Sequence, residues 1–272
     1  MQGTAAAVDR SARCAVAIMA KAPSAGRTKT RLSPFLSYEE ARELAGCFLA
    51  DMTANIAAAA LEASVDPYIA FAPLSGEAAL RPIVHDGTGF VLADGSAPAP
   101  AGVEGLGRSL LQAARALFAR GYGAVALLNA DSPTLPTALL VEAARLLSQP
   151  EHAVVLGPSA DGGYYLIGMK APHACLFAGI DWSTARVAQQ TRLRAGEAGL
   201  KQFDLATWYD VDDAGALRRL IEELDGNGGA SARLAGFAAP VTAAWVRGNR
   251  VRERLAMGGA PHAAAGDAMS AT

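Results

Sequence analysis

Short, continuous apolar runs alternate with longer stretches of helical period over most of this chain. Cys14–Ala20 (CAVAIMA) and Ala124–Ala130 (AVALLNA) have almost no polar break, the pattern of strands buried on both faces. Tyr68–Ala72, Gly89–Ala93, Ala153–Leu156, Tyr164–Met169 and Phe203–Ala206 read as further strands. Ser37 opens the first helix, with Glu40 three residues on to complete a capping box. Ala41, Leu44, Ala45, Phe48, Leu49, Met52 and Ile56 then hold one helical face. Leu106–Arg120, Thr137–Leu147, Thr184–Ala198 and Asp213–Leu224 are predicted helices. Such alternation predicts an α/β domain over residues 13–225, a mostly parallel sheet covered by helices on both faces. Residues 1–12 are small, polar and mixed in charge, and are expected to be disordered. Residues 226–272 form an Ala/Gly-rich extension, with a weak helix around Val241–Leu255 and a disordered tail over Gly258–Thr272.

Composition narrows the classes. The chain has 272 residues, 51% of them hydrophobic, enough for one large core. Only 18% are charged and the formal net charge is −2, so nothing global favours nucleic acid or an anionic membrane as partner. No apolar run is long enough to span a bilayer, and the first dozen residues lack the apolar core of a signal peptide. Cys14, Cys47 and Cys175 are far apart and odd in number, which fits free thiols in a reducing, cytoplasmic compartment.

Local charge is less even. No acidic residue occurs between Arg10 and Tyr38, and Lys21-Ala-Pro-Ser-Ala-Gly-Arg-Thr-Lys-Thr-Arg31 concentrates four cations in eleven residues. This loop joins the first strand to the first helix, where α/β proteins place ligands. Pro23 and Gly26 favour an irregular path whose backbone N–H groups can face an anion. Lys21, Gly26, Arg27, Lys29 and Arg31 are therefore candidate phosphate ligands, the alternative being a solvated basic loop. The loop is neither a P-loop nor a dinucleotide fingerprint.

Three acidic turns follow later strands or precede a helix. Asp131, in Asn129-Ala-Asp-Ser-Pro, stands just after the strongest strand and can ligate Mg²⁺ or Mn²⁺ or simply cap the turn. Asp161-Gly162-Gly163-Tyr164 combines a carboxylate, two small residues and an aromatic, which suits close approach to a substrate or an Asp-Gly hairpin. In Asp210-Val-Asp212-Asp213, alternation puts Asp210 and Asp212 on one side, and Asp213 can cap the next helix. The alternative reading makes all three helix N-terminal charges. A metal on Asp131 and Asp212 with phosphates on the basic loop would provide electrostatic catalysis of phosphoryl-type chemistry.

The motifs KAPSAGRTKTRL, NADSPTLP, GPSADGGYYLIG, IDWSTARVAQQT and DVDDAGALRRL occur in this order between Ala15 and Leu224. In that order they resemble the GT-A-like radical-SAM/selenodomain-associated transferases, also described as arsenosugar-biosynthesis glycosyltransferases. More distantly, Lys29-Thr-Arg-Leu32 and Asp161-Gly-Gly163 are similar to 2-phospholactate guanylyltransferases. The resemblance implies a GT-A-like, Rossmann-type three-layer sandwich. It implies Asp131 and Asp212 as ligands of Mg²⁺ or Mn²⁺, and Arg27, Lys29 and Arg31 as the phosphate loop. The chain departs from the family in Asn129 for Gly, in Gly105-Leu-Gly-Arg-Ser109 for DLGER, and in Asp213-Ala-Gly-Ala-Leu217 for a Thr-Pro-Glu-Asp-Leu continuation.

Three functions suit these features. The first is sugar transfer from a nucleotide-sugar to a small-molecule acceptor, with Lys29 and Asp161 as candidate catalytic residues and Asp161, Gly162, Gly163 and Tyr164 against the substrate. The second is nucleotidyl transfer with pyrophosphate release, which the density of cations in the loop favours. The third is non-catalytic nucleotide binding. Hydrolase chemistry has no support, since GxSxG and HExxH are absent.

Overall fold

A computed structural model describes residues 9–32, 35–151, 153–226 and 234–256; the expected disorder at 1–8 and 258–272 lies outside them. Seven strands form one sheet in the order β3-β2-β1-β4-β6-β5-β7. They are β1 (Cys14–Lys21), β2 (Val65–Ala72), β3 (Gly89–Leu92), β4 (Ala124–Leu128), β5 (Ala153–Pro158), β6 (Tyr164–Met169) and β7 (Lys201–Asp204). All neighbours pair in parallel except β6, which runs antiparallel to both β4 and β5. The expected mostly parallel α/β sheet is therefore present. β5 and β6 are joined by the short Asp161 turn, and so tight a connection can only join antiparallel strands.

The eight helices among the described residues are α1 (Tyr38–Ala59), α2 (Glu77–Leu80), α3 (Leu106–Phe118), α4 (Thr137–Ser148), α5 (Val187–Glu197), α6 (Ala214–Leu224), α7 (Pro240–Gly248) and α8 (Val251–Ala256). Alternation along β1 sends Val16 and Ile18 to one face, with Leu49, Met52 and Ile56 of α1 and Leu139 to Leu147 of α4. Ala15 and Ala17 face the other way, toward Leu110, Leu111 and Leu117 of α3 and Ala195 of α5. This makes the three layers. The capping box forms as read: Ser37 Oγ accepts from the Glu40 N–H and the Glu40 carboxylate from the Ser37 N–H.

Several boundaries move for local reasons. β2 starts at Val65, not Tyr68, because Asp66 is held by Arg13 at 2.5 Å and by the Tyr122 hydroxyl at 2.8 Å, so a polar residue sits comfortably in the strand. α5 starts at Val187, since Thr184 Oγ1 donates to Asp181 O and accepts from the Arg186 N–H, closing a turn instead. β7 lies two residues earlier than expected, with Lys201–Asp204 in register with Ala153–Leu156 of β5. Arg10, in the segment expected to be disordered, lies over the Tyr122 ring.

The weak helix expected near the C-terminus is two helices, α7 and α8, folded onto the domain. Val246, Val251 and Leu255 share a third apolar cluster with Leu44 and Phe48 of α1 and Leu217 and Leu220 of α6. The fully buried Asp51 accepts from the N–H groups of Val241 (3.0 Å) and Thr242 (2.7 Å), the first turn of α7. A carboxylate facing otherwise unpaired helix N-terminal donors anchors the start of this segment. Arg254 of α8 pairs with Glu40 of α1.

Candidate active site

The loops that follow β1 and β4 meet the segment leading into α6. Trp208 pairs in parallel with Ser159, beyond the end of β5. Tyr209 fixes the start of the acidic run: its hydroxyl donates to Glu223, its ring lies 3.9 Å under the Arg219 guanidinium, and its carbonyl accepts from Ser132 Oγ. The Val211 N–H then donates to Asp131 O at 2.8 Å, so the Asp131 turn and the Asp210–Asp212 run are tied backbone to backbone. Asn129 shapes that turn with its side chain, donating to Ser132 Oγ and accepting from the Asp131 N–H. The polar turn ends β4 at Leu128, two residues before the apolar run does.

Lys29 is the centre of this arrangement. Its ammonium donates to Asp131 Oδ1 at 2.5 Å and to Val211 O at 2.7 Å, and lies 3.5 Å from Asp212 Oδ1. The Phe48 ring closes the other side at 4.9 Å, and the side chain is 4% exposed. Its φ of 47° is left-handed, a conformation that costs a non-glycine residue roughly 1 kcal/mol. Its contacts with Asp131, Asp212 and Val211 O hold it in that conformation. The loop reading put Lys29 among the phosphate ligands; in the structure its charge is spent on carboxylates, because burial beside two of them leaves the ammonium no better partner.

The rest of the basic loop is open. Lys21 ends β1 and is exposed, as are Arg27 and Arg31. Gly26 has φ 72°, which only glycine adopts without strain. The N–H groups of Arg27 and Thr28 both donate to Ser24 O, so at those two positions the backbone closes on itself and does not offer donors to an anion.

Negative charge is concentrated opposite. Burial first, then the nearby Asp161 and Asp212 carboxylates, push the Asp210 carboxyl up to about 6. Asp212 is also raised, by burial and Asp131, with Lys29 working against the shift. Asp131, Asp161, Asp210 and Asp212 thus form one acidic group. Asp213 instead caps α6 by accepting from the Ala216 N–H.

A cleft of about 500 Å³ opens beside this group. Its walls bring together Lys29, Arg31, Asp161, Gly163, Tyr164 and Asp212 from the expected set; Lys21, Gly26, Arg27, Asp131 and Gly162 do not line it. Asp161 is exposed and accepts from the Gly163 N–H. Gly162, at φ 91°, lies so close to the turn before α5 that a Cβ there would stand 2.2 Å from Ala185 O. Tyr164 offers the cleft part of its ring, but its hydroxyl is enclosed beside Thr191, and burial pushes its pKa up. That hydroxyl faces the core, because β6 alternation sends the ring into the layer with α3 and α5. Leu106, Trp182, Thr184 and Val187 complete the wall. Trp182 and Thr184 lie in the IDWSTARVAQQT motif, the signal that could have marked them. A smaller cavity of about 360 Å³ at the opposite ends of β1 and β4 carries no such acidic group, and its Lys170 is held by Gln149 O.

Known proteins fit this architecture. Residues 55–184, from just before β2 to the turn preceding α5, match the family described as "Uncharacterized protein conserved in bacteria (DUF2064)". No curated protein matches. The crystal structure of a candidate nucleotide-diphospho-sugar transferase from Desulfovibrio desulfuricans G20 is 27% identical, covers 88% of this chain and 97% of its own, and has a TM-score of 0.70. The chain has the nucleotide-diphospho-sugar transferase fold. The resemblance read from the motifs is borne out at that level. Two more distant structures are a CMP:2-keto-3-deoxy-manno-octonic acid synthetase bound to CTP (13% identity, 76% of this chain and 96% of that one, TM-score 0.45) and a manganese complex of a Mycobacterium tuberculosis H37Rv protein (18%, 77% and 98%, TM-score 0.37). At these values neither informs the reading of this site.

Proposed function

We propose that this protein is a metal-dependent transferase that moves a sugar from a nucleotide-sugar to a small-molecule acceptor. The observation that carries the reading is the pair Asp131 and Asp212 around one cation, at the edge of a cleft that also holds Arg31 and Asp161. The likeness to a candidate nucleotide-diphospho-sugar transferase supports it.

The donor chemistry fits a divalent ion. Mg²⁺ and Mn²⁺ take carboxylate oxygens and fill their remaining positions with water and substrate phosphate, so two carboxylates suffice. Among the described residues no group of three or more His, Cys, Asp or Glu is placed to hold a metal ion, so the ion would rest on two carboxylates, with water and phosphate in its other positions. Asp131 and Asp212 would hold the ion, which supplies Lewis-acid neutralisation of the diphosphate leaving group.

The chain's own residues do the rest. The exposed Arg31, with Arg27 and Lys21 farther along the loop, binds the phosphates electrostatically. Asp161 takes the proton of the acceptor hydroxyl as its oxygen attacks the anomeric carbon; the sugar–oxygen bond to phosphate breaks and the nucleoside diphosphate leaves. Gly163 leaves the cleft open beside that carboxylate, Gly162 lets the turn pack against Ala185 O, and the apolar Trp182 and Leu106 wall keeps bulk water from one side.

The density of exposed cations favours a second reading, in which an NTP binds and a phosphorylated small molecule displaces pyrophosphate. Product analysis separates the two. With nucleotide-sugars, Mn²⁺ and a pool of small acceptors, the first reading predicts nucleoside diphosphate release that depends on an acceptor. Acceptor-dependent pyrophosphate release from an NTP, with nucleotide-sugars inert, would establish the second instead.

A further inference from the structure

The ammonium that pairs with Asp131 and Asp212 stands where a cation bridging those carboxylates would have to sit. Lys29 is held there by the two carboxylates and Val211 O, is walled in by Phe48, and adopts a left-handed backbone. Yet Lys29 and Asp212 both border the cleft, and the two carboxylates are themselves 35% and 45% exposed, so a ligand in the cleft lies next to the pair. A buried ion pair costs several kcal/mol to break by removing one partner without replacement, but little if both charges find new partners together.

We infer that Lys29 is a built-in counter-ion that closes the metal position until phosphate arrives. This rests on the proposed metal-dependent reading. Phosphate in the cleft gives the ammonium a new anion, and the vacated carboxylates accept the divalent ion. Metal and nucleotide therefore bind with positive coupling, and in the metal-free, nucleotide-free protein Lys29 offsets part of the negative charge. The exchange is neutral in partners: one cation leaves two carboxylates as another enters.

The direct test uses Mn²⁺ alone, with free hydrated Mn²⁺ followed by electron paramagnetic resonance. Wild type is expected to bind Mn²⁺ weakly. Lys29→Met, which removes the charge and keeps a long apolar stem, is expected to bind it at least tenfold more tightly. Adding Asp131→Asn to Lys29→Met is expected to abolish the gain. Wild-type binding as tight as that of Lys29→Met would overturn the inference while leaving the metal reading intact. Absence of Mn²⁺ binding by either protein would remove both. A measurement on unaltered protein guards against a variant that fails to fold: acetylation of Lys29 by acetic anhydride, read by mass spectrometry, should be slow without metal and rise severalfold at saturating Mn²⁺. Unchanged Lys29 labelling with Mn²⁺ bound would contradict the exchange.

Discussion

Lys29 shows how a side chain's job depends on what folds around it. Its position in a basic loop is visible in the sequence, but its partners Asp131, Val211 and Asp212 lie more than a hundred residues away. No local pattern could reveal that this cation, among four, is the internal one. The carboxylates were legible, because a carboxylate at the end of a continuous apolar strand reaches the ligand side of an α/β sheet. Two predictions belong here. Asp131→Asn keeps an acceptor for Lys29, and Val211 O and Asp212 remain, so melting should shift by no more than about 3 °C. Turnover should still fall by about 100-fold or more, since a neutral amide binds a hard cation poorly. A variant that melts far lower would make Asp131 a structural residue. Arg31→Ala should raise KM for the nucleotide by about five- to tenfold at low ionic strength and by much less at 0.5 M salt. An unchanged KM at low salt would remove Arg31 from the phosphate site.

Elements read best where they are apolar and periodic. β1, β4 and α1 were recognised almost to the residue because their burial is written in their alternation. α7 and α8 were legible only as one weak helix, since segments this short owe their stability to docking and not to their own propensity. Asp51 supplies that docking. Asp51→Ala strips two N–H groups of their acceptor and should cost about 2–3 kcal/mol. Amide exchange should accelerate over residues 240–256 before the sheet is affected; uniform loss of protection would show that α7 is not a separate unit. β2 has its own polar stitch in Arg13, Asp66 and Tyr122. Burial raises the Asp66 carboxyl, but Arg13 and the Tyr122 hydroxyl outweigh it and leave it below the ordinary 3.8. A lowered folded-state pKa means stability fully present above the unfolded value and lost as pH falls through the folded one. Asp66→Asn should cost about 1 kcal/mol at neutral pH, allowing for solvent screening, and flatten urea-unfolding stability below about pH 4. An unaltered acid limb would show that Asp66 does not set it.

At the scale of the whole molecule, strand–helix alternation was enough to predict the three layers. What it left out was the reversal of β6, which lets the short Asp161 turn join β5 to β6 as a hairpin; that turn follows the C-terminal end of β5, which runs in the same direction as β4, and so lies at the edge where Asp131 follows β4. The common direction of β1, β4 and β5 makes one site from residues spread over nearly two hundred positions, and it depends on pairing that no single segment encodes. No helix among the described residues is long and apolar enough to cross a membrane, and the fold closes around one sheet with a single acidic group at its ligand edge. The proposed activity requires that edge to bind a nucleotide together with a metal. The most direct measurement is a thermal shift with nucleotides and nucleotide-sugars, with and without Mn²⁺, on wild type and Asp131→Asn. A ligand that binds the folded state at a hundred times its Kd stabilises it by about 2.7 kcal/mol, which a melting curve resolves. At least one nucleotide is expected to raise the wild-type melting temperature by several degrees only when Mn²⁺ is present, and Asp131→Asn is expected to lose the Mn²⁺-dependent part. No shift with any nucleotide, or an equal shift in both proteins, would contradict it.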